Sequence, residues 1–251
     1  GAGHKVCIYE KNEKLGKKIY ITGKGRCNVT NACDTEELFR NVVHNAKFLY
    51  SSFYTFTNTD VMDLIEKHGC PLKTERGGRV FPVSDKSSDV IHALTVALRE
   101  LGVEVELHEE VSGVLAEDGH VSGVRLKRGQ KVVPADAVIV TTGGLSYPST
   151  GSTGDGYRFA TELGHTITEL SPALVPFEAK EAVCKDLQGL SLRNISVQIR
   201  NGKKVLYEEF GEMLFTHFGV SGPVLLSASS YVASTLKKVP LTLSIDLKPA
   251  L

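Results

Sequence analysis

Four stretches of the sequence carry residue types that can hold a ligand or move protons and electrons. The first opens at Glu10, which closes the short apolar run of residues 5–9, and continues through a lysine cluster into "YITGKGRCNVTN" at residues 20–31. A strand ending on a carboxylate is how the second strand of a dinucleotide-binding βαβ unit ends, the carboxylate accepting hydrogen bonds from a ribose diol; a solvated strand end is the alternative. In the loop behind it, Thr22, Gly23, Gly25, Arg26, Cys27 and Asn28 offer backbone N–H groups open to close approach, a guanidinium fork and polar side chains. That set fits a pyrophosphate or an oxidised ring with polar edges, or an ordinary glycine-rich surface loop.

The second stretch is "VIVTTGGLSYPSTGSTGDG", residues 138–156. A buried parallel strand over residues 137–140 would bring Thr141, Thr142, Gly143 and Gly144 to the carboxyl edge of a sheet, where open α/β folds bind ligands. Gly151, Gly154 and Gly156 then surround Asp155 just ahead of a helix, whose first N–H groups could face an anion; no Gly-Lys-Ser/Thr follows, so this is not a Walker loop. The third is the pair Cys27 and Cys33. Disulfide reductases keep two cysteines four residues apart beside a nucleotide-binding strand, but the interval here is longer, which favours unpaired thiols over a redox dithiol. The fourth is His217 in "FTHFGVSGP", an acid–base or substrate-orienting candidate against a purely structural histidine. No residue pair has the spacing of a dedicated acid–base couple, so the catalytic residues are unassigned, and no metal-binding set is assigned.

The elements that must position these groups read as a mixed α/β chain. Helical spacing covers two stretches between Asp34 and His68, the first capped by Asp34, and residues 84–102, where Val90, Leu94, Ala97, Leu98 and Leu101 form an apolar face stopped by Gly102. The strand "VEVEL" follows. Residues 111–116, 121–126 and 132–135 alternate with a period of two around Asp118-Gly119 and Arg128-Gly129, predicting a three-stranded antiparallel meander. Residues 157–164 predict a helix ended by Gly164, residues 192–200 and 203–210 a hairpin around Asn201-Gly202, and "SGPVLLSASSYVAS" a helix with Pro223 in its first turn. The boundary between domains is read near Pro172.

Composition narrows the function classes. Twenty-nine basic residues balance 29 acidic ones, so nothing suggests a polyanion partner; Lys14, Lys17, Lys18 and Lys24 make the one dense basic cluster. No apolar run is long enough to cross a bilayer and no signal peptide pattern opens the chain, and five cysteines without a framework suit a reducing compartment, so a cytoplasmic protein with no membrane partner is expected. Gly1-Ala2-Gly3 superficially suggests a G-x-G-x-x-G loop, but Val6 occupies the last position and no strand precedes it. The chain reads as cut at both ends.

Taken together, "EKNEKLGKKIYITGKGRCNVTN", "GLSYPSTGSTGDGYRFATELGHTI", "PALVPF" and "GEMLFTHFGVSGP" closely resemble the BaiN/aminoacetone-oxidase-like flavoproteins, the YhiN-type family of NAD(P)/FAD-dependent oxidoreductases, over essentially the whole chain. The resemblance implies an α/β (mixed α+β) architecture: a Rossmann-like FAD-binding domain of the two-dinucleotide-binding flavoprotein type at residues 1–171, and an inserted, largely β second domain at residues 172–251 that covers the flavin. It implies FAD as cofactor, NAD(P)H as a transient electron donor and a small-molecule substrate. By motif match, Glu10 would bind the adenosine ribose, while Thr22, Gly23, Gly25, Arg26, Cys27 and Asn28 would lie along the pyrophosphate and flavin. Val111 would reach the adenine through its backbone, Thr142, Gly143 and Gly144 would close the other side, and Gly154, Asp155 and Gly156 would follow in the next loop. The family's opening strand and glycine-rich loop are missing here, so this fragment is expected to hold FAD weakly or not at all, and the complete protein tightly. A non-catalytic dinucleotide-binding module, and a disulfide reductase using Cys27 and Cys33, are the rival readings.

Overall fold

The computed structural model describes residues 3–249, which fall into two compact units, Gly1–Ile167 and Thr168–Leu251. Gly1 and Ala2, the first two positions of the rejected glycine pattern, lie outside the described residues, as do Ala250 and Leu251.

In the first unit β1 (Cys7–Glu10) runs into α1 (Lys17–Ile21), a 3-10 turn at Thr22–Gly25 and the short β2 (Thr30–Asn31). Then come α2 (Thr35–Arg40), α3 (Tyr50–Thr55) and α4 (Asn58–Lys67). The starts of α2 and α4 are set by side chains that satisfy orphan N–H groups. Asp34 accepts from Glu37 N at 2.7 Å, and Thr57 and Asp60 form a reciprocal capping box. The sequence β3 (Leu72–Thr74), β4 (Arg79–Pro82), α5 (Ser87–Glu100) and β5 (Glu104–Leu107) follows, with β2 and β3 flanking β4 in a small antiparallel sheet. Helix α5 buries Val90 and Ala93 against Cys27, Ile65 and Cys70, and Ala97 is buried one turn further on. Leu101, expected on that face, is 59% exposed, because the helix ends at Glu100 and the chain turns at Gly102. Residues Ala93 and Leu94 carry the contact in its place.

Strands β1 and β5 pair in parallel, Cys7 opposite Glu104 and Glu10 opposite Leu107, which leaves Glu10 at the carboxyl end of the pair. Past a turn, β6 (Val111–Glu117), β7 (His120–Leu126) and β8 (Val132–Pro134) make the expected antiparallel meander. The chain then diverges from the sequence expectation. Residues 137–140 are not a buried parallel strand: Ile139 is 86% exposed, and among the described residues no strand pairs with this segment. An apolar run becomes a covered strand only where a neighbour supplies its ladder hydrogen bonds, and among the described residues β1 and β5 pair only with each other. The segment nonetheless delivers Thr141–Gly144 to the start of α6 (Asp155–Glu162), which ends in the anticipated glycine turn, with Gly164 N donating to Thr161 O and His165 N to Ala160 O.

The second unit contains β9 (Phe177–Glu178), α7 (Val183–Asp186), β10 (Ser191–Asn201), β11 (Lys204–Thr216), β12 (Gly219–Ser221), α8 (Pro223–Leu236) and β13 (Thr242–Asp246). Its antiparallel sheet has the order β13-β10-β11-β12-β9. Along β10, Ile195, Val197 and Ile199 are buried at every second position, so one face packs on the core while the other meets solvent. Helix α8 covers that core with Val224, Leu225, Ala228 and Val232, each such side chain larger than Ala contributing about 1.5–3 kcal/mol on burial. Its docking requires Gly222, whose φ is +104° and where a Cβ would lie 2.7 Å from Met213 Cα. The architecture is therefore mixed α/β, with a Rossmann-like unit and a separate β region.

Candidate functional site

A cleft of about 270 Å³ opens in the first unit. Its walls are the end of β1, the start of α1, the β5–β6 turn, residues 141–143 and 150–152, and the first turns of α6. Five of the fourteen residues assigned to FAD by motif match line it, Glu10, Val111, Thr142, Gly143 and Asp155, as do Thr141 and Gly151. Three more flank it. Gly154 N donates to Gly144 O at 3.1 Å, and a Cβ on Gly156 would lie 3.0 Å from Thr142 Oγ1, so that hydroxyl rests against the backbone at the start of α6.

The remaining six form a turn outside this cleft. Arg26 is engaged within the protein: its guanidinium stacks over Phe81, 4.1 Å from the ring centroid, and pairs with Glu75 and with Asp85. Those two carboxylates hold its pKa above the usual guanidinium value. Cys27 N donates to Thr22 O and Arg26 N to Gly23 O, closing the turn, and Asn28 donates its amide to Thr30 O and Val80 O. Cys27 itself is buried with Ile65 and Cys70. Burial pushes its thiol pKa up despite a hydrogen bond with Thr22, the opposite of the activated thiolate that dithiol exchange requires. His217 is exposed in the turn between β11 and β12, its ring edge-on to Phe218.

Several cleft residues were not singled out from the sequence: Lys11, Asn12, Ser152 and Phe159. Lys11 and Asn12 directly follow Glu10, so their position was the available signal. Lys11 Nζ donates to Asp155 Oδ2 at 2.8 Å and to Thr153 Oγ1 at 2.6 Å. Burial acts to raise the Asp155 pKa, but the bonds from Lys11, Thr153 and Arg158 outweigh it and hold the carboxyl below its usual range. Asn12 donates from both N and Nδ2 to Glu10 Oε1, at 2.8 and 2.7 Å.

The cleft has the features of a nucleotide site. Among the described residues Thr142 Oγ1 is buried without a hydrogen-bond partner, and an orphan polar atom of this kind calls for a water, an ion or a ligand to complete it. Glu10 Oε2 makes no hydrogen bond among the described residues, leaving an ionisable acceptor aimed from a strand end. At Gly143 (φ +73°) a Cβ would lie 2.7 Å from Ser152 Oγ, so only a glycine leaves this stretch of backbone open. The volume is slightly under the roughly 300–1,000 Å³ of whole-ligand pockets, the size for one end of a dinucleotide. Fold and cleft together define a Rossmann-type protein whose fold is shared with flavoproteins.

Within that class the chain belongs to the HI0933-like protein Rossmann domain family, whose model matches residues 1–235. It is 32% identical over 233 residues to the 3-dehydro-bile acid delta(4,6)-reductase of Clostridium scindens, covering 92% of this chain and 55% of that protein. It is 30% identical over 230 residues to the ribosomal RNA dihydrouridine synthase of Escherichia coli, covering 92% and 56%. The chain thus spans about half the length of the curated relatives it matches. Among solved structures, the open conformation of a flavocytochrome c3 fumarate reductase matches with a TM-score of 0.50 at 19% identity, over 77% of this chain and 43% of that one. That likeness is one of fold.

Proposed function

We propose that the protein is an FAD-dependent oxidoreductase that reduces an unsaturated small organic substrate with NAD(P)H as electron donor, and that the cleft described above receives the adenosine end of FAD. What supports this most is the convergence of Glu10, Val111, Thr142 and Gly143 with the start of α6 on one cleft in a chain of this family. When bound, the flavin supplies the hydride acceptor and donor. The chain's residues supply position. Glu10 would accept a hydrogen bond from a ribose hydroxyl, the Val111 backbone would face the adenine, and Thr142 Oγ1 would gain its missing partner. Gly143 would let the ligand approach the main chain. The N-terminus of α6 would present its positive dipole end, and because Lys11 is paired with Asp155, the carboxylate there is offset. The turn of residues 22–28 lies outside the cleft, and we assign it to the flavin portion.

One relative is a reductase and the other a dihydrouridine synthase, which favours reduction over oxidation. A balanced charge favours a small substrate over RNA; the second relative's name makes RNA the alternative to test. The experiment is anaerobic absorbance spectroscopy of the full-length protein. We expect a flavin spectrum that bleaches with NADH or NADPH and returns when a conjugated enone is added. Recovery with ribosomal RNA alone would replace the small substrate by RNA. A flavin that stays oxidised would leave a binding module, and no flavin would overturn the cofactor assignment.

A further inference from the structure

We infer that Asn12 is the positioning residue of the Glu10 carboxylate and that, through it, the cleft selects a ribose with free hydroxyl groups. The inference rests on the dinucleotide reading above. Both hydrogen bonds from Asn12 converge on one oxygen, Glu10 Oε1, and the same Nδ2 also donates to Thr150 O at 3.1 Å. A glutamate carboxylate otherwise rotates freely about its last torsion. Held by one oxygen from two directions, it keeps Oε2 as the single acceptor left for a ligand. The third bond ties this corner of the cleft to the loop that carries Ser152 on another wall, so one side chain sets both the carboxylate and the loop it faces.

The chemistry of the ligand follows from the charges around it. An ionised carboxylate only accepts, so its partner must donate, which a ribose hydroxyl does and an ionised phosphate does not. Glu109 and Glu110 line the same cleft. A phosphate on the ribose would therefore offer Glu10 an acceptor where it needs a donor, which disfavours it; Glu109 and Glu110 are paired with Arg128 and Lys127, and Lys17 and Lys18 line the same cleft, so the discrimination rests on Glu10 itself.

The test is a calorimetric titration of the flavin-free full-length protein with ADP, 2′-deoxy-ADP, 3′-deoxy-ADP and adenosine 2′,5′-bisphosphate. For the native protein we expect ADP to bind about tenfold more tightly than one of the two deoxy analogues, as expected for a lost hydrogen bond to a charged group, and the bisphosphate to bind more weakly than ADP. Asn12→Ala should bring that ratio down to about twofold or less, the level of an unselective site. Asn12→Asp keeps the side-chain shape but turns a like charge toward Glu10; it should do the same, and carries the test should the alanine variant not fold. A purely structural Asn12 would weaken all nucleotides equally and leave the ratio intact, and an intact ratio in both variants would overturn the inference while sparing the dinucleotide reading. Failure of ADP to bind the native protein would overturn both.

Discussion

Lys11 and Asp155 form the pair at the cleft whose consequences are easiest to measure. Lys11→Met should lower stability near neutral pH by about 1 kcal/mol, the usual scale for a charge-assisted hydrogen bond. The sign of its pH dependence follows from the direction of the Asp155 shift. The folded-state pKa lies below the unfolded one, so the stabilisation is in full force above the ordinary Asp value of about 4 and is lost as pH falls through the lower folded value. Urea midpoints of native and variant proteins should differ at pH 7 and converge towards about pH 2. The sequence made Glu10 legible because a carboxylate at a strand end has one well-known use. It did not reveal Asn12, since an asparagine there looks like any turn residue until the bonds to Glu10 and Thr150 are seen. Arg26 looked like a ligand fork from its neighbours, whereas its partners Glu75 and Asp85 lie some fifty to sixty residues along the chain, beyond any local pattern.

At the scale of elements, local signals carried far. The meander, the β10–β11 hairpin and the helix opening at Pro223 all depend on turn residues and periodicity within a dozen positions, and all form. Residues 137–140 failed for the opposite reason: their apolar run carries no information about whether a neighbouring strand is there to pair with. One close fit between elements is at Gly222, where α8 leaves β12 across the backbone of β11. Gly222→Ala would place a Cβ against Met213 Cα and Leu214 N in a conformation with φ +104°. We expect a loss of about 2 kcal/mol or more, measured as a lowered urea midpoint of the second unit's transition.

For the molecule as a whole, the two units are built on different principles. The second is held by one continuous antiparallel sheet under a helix, whereas the first distributes its strands over three small sheets. Among the described residues β1 and β5 have no neighbour but each other, so that ribbon has two open sides. On β5, Glu104 and Glu106 place charge along the border, a common guard against unwanted pairing. Strand β1 carries Cys7, Ile8 and Tyr9 and has no such guard before Glu10. Its border is a standing invitation to another extended chain, and in a tube at rising concentration the nearest such chain is a second copy. Sedimentation velocity on the 251-residue chain should show mass growing with concentration, and Ile8→Lys should hold it to a single species; growth unchanged by the lysine would place the contact elsewhere.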